Sequence, residues 1–210
     1  MLIGGGGHCK SCIDVIQQEG RFEIVGIVEN PGFRISDSRS PILGYPVIGT
    51  DDDLPQLLGK TDYFLITVGQ ISSAATRVRL YERITAMGGR FPVIVSPDAY
   101  VSPTALIGPG TIVMHRALVN AEARIGMNGI INTGALVEHE TVVGDHCHIS
   151  TQAILNGQCN VGNRVFIGSG AVLANNVSIP DDTIVAAGSV VIRSLEVSGT
   201  YMGNPLQRKT

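Results

Sequence analysis

The sequence predicts a small α/β domain with a parallel sheet over residues 1–95, joined to an all-β parallel coil over residues 96–210. Three observations predict it. A branched apolar residue recurs every sixth position through the second half, strand-like and helix-like segments alternate through the first, and four consecutive glycines join the first strand to the first helix.

In "MLIGGGGHCKSCIDVI" three apolar residues precede Gly4–Gly7, and Ser11, Ile13, Val15 and Ile16 follow with a helical pattern over 11–19 that Gly20 closes. Amides at such a helix start hold an anion, usually a phosphate. Gly4-x-Gly6-x-x-Cys9 is a dinucleotide fingerprint without its third glycine, so the domain reads as Rossmann-like. Glu29 ends the strand "FEIVGIVE" about 20 residues later, where an acid meets a ribose. About 95 residues cannot hold both a full dinucleotide domain and a substrate domain. A mononucleotide or nucleotide sugar fits better than a nicotinamide cofactor or a bare regulatory module. Further strands are expected at "YPVIG", "DYFLITVG" and "FPVIVS". The helix "SSAATRVRLYERITAM" carries Ala75, Val78, Tyr81, Ile84 and Met87 on one stripe, with Ser72 or Ser73 as N-cap. Gly69 should lie beside the glycine loop at the sheet's carboxyl edge. Asn30 and Gln70 are amides placed to read a base, and Lys10 either approaches a phosphate or is solvated.

From Val101 to Val191 every sixth residue is Val, Ile or Leu, and the residue four later is mostly small: Ala105, Thr111, Ala117, Ala123, Gly129, Ala135. This predicts a triangular parallel β-helix of six-residue faces and 18-residue turns, branched side chains stacking inward and small ones at the corners. A single turn cannot bury its inner face, so the stack is stable only as a whole. No loop interrupts the register, and flat faces close under threefold symmetry. A homotrimer with its active site between subunits is expected.

A net charge of −3 and the lack of a Lys/Arg run argue against nucleic acid and anionic membrane as partners. No charged-then-apolar leader and no run near ~20 apolar residues is seen, so a cytoplasmic enzyme of small molecules is expected. Cys9, Cys12, Cys147 and Cys159 read as reduced thiols. The Cys9-x-x-Cys12 pair lacks a second ligand pair and reads as small helix-start residues rather than a metal or redox site.

Four of the five histidines, His115, His139, His146 and His148, fall in the coils off the inward register and are expected outside. His115 and His146 read as inert surface residues. His139 stands between Glu138 and Glu140, and a carboxylate on one ring nitrogen raises the basicity of the other, as a general base requires.

The glycine loop with His8, "VSPDAYVSPTALIG", "INTGALVEHETVVGDHCHIS" and the late "GNP" together resemble the hexapeptide-repeat sugar acetyltransferases, nearest the bacillosamine and perosamine nucleotide-aminosugar N-acetyltransferases. The sialic acid O-acetyltransferases are close behind. The resemblance spans the chain. It implies a left-handed β-helix, a homotrimer, acetyl-CoA as donor without a metal, and a nucleotide-linked 4-amino-4,6-dideoxyhexose as acceptor for surface glycans. By resemblance His139 is the general base, Glu140 or Glu138 its orienting acid, and Asn132 a sugar-site residue. His148 lies near the acetyl carbonyl and, protonated, or else a backbone N–H, stabilises the oxyanion. Gly7, His8, Glu29, Asn30 and Gly69 match nucleotide-binding positions, and Gly157, Ser169 and Ala187 line the pantetheine groove with His148. The tail "GNPLQRK" departs from the family's Gly-Asn-Pro-Ala-Lys, leaving Gln207, Arg208 or Lys209 to meet CoA phosphate. A rival reading is a trimeric zinc-dependent carbonic anhydrase-like β-helix using the coil histidines as ligands.

Overall fold

The computed structural model describes residues 1–30, 41–204 and 207–209. The first domain holds four short parallel strands, β1 (Leu2–Ile3), β2 (Ile27–Glu29), β3 (Val47–Thr50) and β4 (Leu65–Ile66), in the order β3-β2-β1-β4. Helix α1 (Gly7–Glu19) follows β1, a short helix α2 (Leu54–Leu57) follows β3, and α3 (Ala75–Ala86) follows β4. Three of these elements differ from the sequence reading. Helix α1 starts at Gly7 rather than Ser11, because Gly6 supplies extended backbone at the N-cap and Cys9 N–H already bonds Gly6 O. The strand expected over 22–29 is paired only from Ile27, since Gly26 at φ 154° packs against Ile48 and breaks the run. Helix α3 buries Arg77, Leu80, Tyr81 and Ile84, while Ala75 is exposed; its stripe is rotated because an arginine is taken inside. The N-cap is Ala74 rather than Ser72 or Ser73, although Ser73 Oγ still accepts the Ala75 N–H just ahead of the helix.

The second half is a left-handed parallel β-helix. Three stacks of two-residue parallel strands run along it, each strand pairing with those 18 residues away. The six-residue register holds throughout: Val113, Val119, Ile125, Ile131, Val137, Val143, Ile149 and their successors form a dry core, with Ala117, Ala123, Ala135, Cys147 and Ala153 at its corners. A left-handed residue recurs at six-residue intervals from Gly110 (φ 75°) through Glu140 (φ 57°) to Gly188 (φ 68°) and turns each corner. The stretch "FPVIVS", expected as a strand of the first sheet, instead begins the coil: Ile94–Val95 pairs with Ile112–Val113.

The three faces differ. The first, carrying Ile94, Ile112, Ile130, His148 and Phe166 outward, is covered by α1 and the small sheet, with Ile13, Ile16, Met114 and Ile130 in one buried cluster. The second presents an uncovered apolar ladder, Tyr100, Leu118, Leu136, Ile154, Val172 and Val190, in register. The third presents Leu106, Arg124, Val142, Asn160 and Ser178. No helix among the described residues is long and apolar enough to cross a membrane.

Candidate active site

The glycine loop divides by function of space. A Cβ on Gly4, whose φ is 101°, would sit 2.5 Å from Val68 Cγ2, and one on Gly5 would overlap the buried Glu29 carboxylate, so these two glycines make room for the chain itself. Gly6 and Gly7 meet nothing within 4 Å. They open onto a cleft of about 890 Å³ between the small sheet and the covered face of the coil. Helix α1 enters this cleft with no side-chain cap and no acid in its first turn, leaving its first amides for an anion.

His8, Glu29, Asn30, Asp51, Gly69, Asn132, Thr133, His148 and Thr151 also line the cleft. Gly69 lies beside His8, where a Cβ would be 3.8 Å from His8 Cβ. Lys10 is exposed on α1 and is not among the lining residues. Gln70 does not present its amide for a base: it is 2% exposed and its Nε2 lies 3.5 Å from Val165 O, so it ties the two domains together.

His148 projects out of the coil as expected, but it is neutral rather than protonated. It is buried, its Nδ1–H donates to Gln70 O at 2.6 Å, and its Nε2 accepts from Asn132 Nδ2 at 3.0 Å. Asn132 Oδ1 accepts the Thr133 N–H, which fixes that amide's orientation. Burial drives the His148 pKa down to about 4 against the upward pull of the Gln70 carbonyl, with Arg77 adding a smaller downward push. His8, its ring 6.5 Å from that of His148, is pushed down to about 3 mainly by burial. Both rings are neutral near pH 7. His146 is likewise not a surface residue, being buried at a corner with Nδ1 accepting from Asn128 Nδ2 and the Tyr81 ring edge-on at 5.6 Å. His115 is half-buried between Ser96 Oγ (2.6 Å) and Asp14 (2.8 Å), bridging coil and α1. The coil histidines thus have separate partners, and the described residues contain no group of three or more metal-ligating side chains.

His139 stands apart on the corner between the second and third faces, half exposed. Its Nδ1–H donates to Glu140 at 3.1 Å, while Glu138 accepts the His139 backbone N–H and Asn120 Nδ2. Glu140 is therefore the acid on the ring. Gln158 Nε2 holds the same Glu140 oxygen at 3.1 Å. A Cβ on Gly157 would fall 2.6 Å from His139 Nε2, so this glycine makes room for the imidazole. Asn120 and Gln158 were readable in advance, since each lies 18 residues from the glutamate it holds.

The three groove residues do not share a corner. Ser169 and Ala187 lie, exposed, on the corner that also carries Asn132 and Thr151, whereas Gly157 is buried beneath His139. In the tail, Gln207–Arg208 pairs antiparallel with Thr200–Met202, and Arg208 donates to Ser198 O at 3.1 Å. Pro205 and Leu206 of "GNPLQRK" lie outside the described residues.

Residues 1–84 match the PglD N-terminal domain model, and residues 90–204 match the GMPPB C-terminal domain model. No curated protein matches the chain. Among solved structures, a histidine-to-asparagine variant of perosamine N-acetyltransferase from Caulobacter crescentus, in complex with CoA and GDP-perosamine, is 34% identical. That match covers 100% of this chain and 95% of the other, with a TM-score of 0.91. The acetyltransferase domain of PglB from Neisseria gonorrhoeae, in complex with acetyl coenzyme A, is 30% identical over 99% of this chain and 97% of its own, with a TM-score of 0.89. WeeI from Acinetobacter baumannii, 22% identical with a TM-score of 0.84, shares the fold. With one-third identity across the whole of both chains, this protein belongs to the family of hexapeptide-repeat sugar N-acetyltransferases.

Proposed function

We propose that the protein transfers the acetyl group of acetyl-CoA to the amino group of a nucleotide-linked 4-amino-deoxysugar, acting in the cytoplasm. The observation that carries this is His139: Nδ1–H is committed to Glu140, and no hydrogen bond among the described residues reaches Nε2. A neutral imidazole so held is an acceptor for one proton. The sugar nitrogen attacks the thioester carbonyl, Nε2 takes the ammonium proton as the tetrahedral intermediate forms, and the C–S bond then breaks. His139 returns the proton to the departing CoA thiolate. With His148 neutral, the oxyanion falls to a backbone N–H. No enzyme nucleophile is needed.

In the cleft, the amides of Gly7 and His8 take the phosphates, Glu29 and Asn30 the nucleoside, and Asn132 with neutral His148 the sugar. Asn132 and His139 occupy neighbouring corners of one prism, with the apolar second face between them. His139 is not among the described residues that line the cleft, so one chain's histidine does not sit in its own cleft. Packing the apolar ladders around a threefold axis hides Leu136, Ile154 and Val172 and sets one subunit's His139 corner against the next subunit's Asn132, Ser169 and Ala187 corner. The pantetheine arm then runs between the two corners.

Purified protein mixed with acetyl-CoA and GDP-, UDP- or dTDP-linked 4-amino-4,6-dideoxyhexoses should release CoA thiol with one of them. His139→Ala should lower kcat by about 100-fold or more with little change in KM. Wild-type rates from that variant would remove His139 from the role.

A further inference from the structure

Among the described residues lining the cleft there is no lysine or arginine, and two buried carboxylates, Glu29 and Asp51, are present. A nucleotide diphosphate brings at least two more negative charges to that space. The amides of α1 offset part of this, through their dipole and hydrogen bonds. Arg79 meets the Asp51 carboxylate at 3.6 Å, and a second full positive charge, Arg77, is buried in the wall at 1% exposure.

The Arg77 guanidinium is held without a carboxylate. Nη1 donates to Ile66 O at 2.9 Å and Val68 O at 2.6 Å, and Nη2 donates to Asn128 O and Oδ1, both at 2.8 Å. Nε has no hydrogen-bond partner. Its position lies directly behind the loop. Val68 lines the cleft and packs on Gly4, Thr67 Oγ1 donates to Gly4 O at 2.6 Å, and Thr76 and Leu80, on the same helix, line the cleft. A buried charge costs heavily unless it is compensated, and one carried on carbonyl oxygens alone retains its field. That field reaches its surroundings: Arg77 contributes to the downward pKa shifts of His8, His146 and His148.

Resting on the nucleotide-sugar reading above, we propose that Arg77 is the counter-charge for the substrate's phosphates, acting through the wall of the cleft rather than by contact. Its clamp on Ile66 O and Val68 O also holds in place the segment whose Gln70 carbonyl orients His148. The arrangement spares the glycine loop any bulky cation while keeping the cleft positive enough for a diphosphate.

The experiment compares binding of a charged and an uncharged ligand by titration calorimetry at pH 8: GDP against guanosine, with UDP/uridine and dTDP/thymidine as parallel pairs. For the pair that wild-type protein binds, Arg77→Gln should weaken the diphosphate by about tenfold, leave the nucleoside within about twofold, and be rescued by Arg77→Lys. A purely structural role would weaken nucleoside and diphosphate alike, and that result, or no change in either, overturns the inference. Should Arg77→Gln fail to fold, Asn128→Asp carries the test, because it sets a carboxylate on the same guanidinium with almost no change of shape. Unchanged diphosphate affinity in a folded Asn128→Asp protein would equally overturn it. A wild-type protein that binds none of the three diphosphates overturns the nucleotide-sugar reading, and this inference with it.

Discussion

At the scale of single residues, the candidate base is specified by its neighbours more than by itself. Glu138 and Glu140 flank His139 symmetrically in the sequence, and nothing in the order of residues separates their roles. The corner separates them: left-handed backbone at Glu140 carries its carboxylate back to Nδ1, whereas Glu138 accepts the His139 backbone N–H. Glu140→Gln should therefore lower kcat by about tenfold, and Glu138→Gln by less, since only the first loses a charged partner for the imidazolium. Steady-state kinetics on both variants decide it, and the reverse order would reassign the acid. Gly157 supplies a sharper test. Its φ is not in the left-handed region, so Gly157→Ala is free of backbone strain, yet the added methyl must displace the imidazole 2.6 Å away. We expect a thermal midpoint within a few degrees of wild type and a fall in kcat of about tenfold or more. Unchanged kcat would show that the ring is not held where the reaction needs it.

At the scale of elements, the coil's corners set both the tolerance to substitution and the response to acid. Gly144 and Gly162 pack against the next turn's backbone, where a Cβ on either would meet main-chain atoms at 2.7 Å. Gly162→Ala should cost roughly 1–3 kcal/mol in denaturant unfolding, the range for overpacking a close-packed interior. The six-residue apolar beat was legible, but the left-handed position was not. Many of its occupants, such as Arg116, Glu122, His146 and Gln158, carry no glycine-like signal. The conformation is imposed by the need to turn 18 residues through three corners, and propensity is overridden. Between elements, His148 is held neutral against Gln70 with its pKa near 4, below the 6.5 of an ordinary histidine. The unfolded chain therefore binds a proton between about pH 6.5 and 4 that the native state refuses. Stability from this group is complete above pH 6.5 and declines as pH falls toward 4, by about 1.4 kcal/mol per unit at most. Urea midpoints should fall from pH 7 to pH 5, and His148→Gln should make that fall shallower, with His8 and His146, whose pKa values are also lowered, supplying the remainder. An unchanged slope would place the acid sensitivity elsewhere.

At the scale of the whole molecule, the three faces of the prism have three destinies. One is covered by the small domain; one carries an uninterrupted apolar ladder; one is mixed. Ile154→Glu, placed in the middle of the ladder, should leave the inward core of Val137, Leu155 and Leu173 intact, dissociate the proposed trimer in sedimentation, and abolish turnover. A monomer with full activity would refute the shared site. Mixing two separately inactive variants, His139→Ala and Asn132→Ala, under conditions that exchange subunits should recover part of the activity, because some interfaces then hold both intact residues. No recovery in confirmed mixed trimers would place both residues on one chain's site. The sequence by itself determined the coil, the parallel α/β domain and the candidacy of His139, because these rest on periodicity and on near neighbours in the chain. Only the tertiary structure decided that His148 and His146 are buried, that Gln70 is a tether, that α3 turns an arginine inward and that Ile94–Val95 belongs to the coil. Those outcomes depend on which face of the prism the first domain covers, a packing between segments tens of residues apart that leaves no local pattern to read.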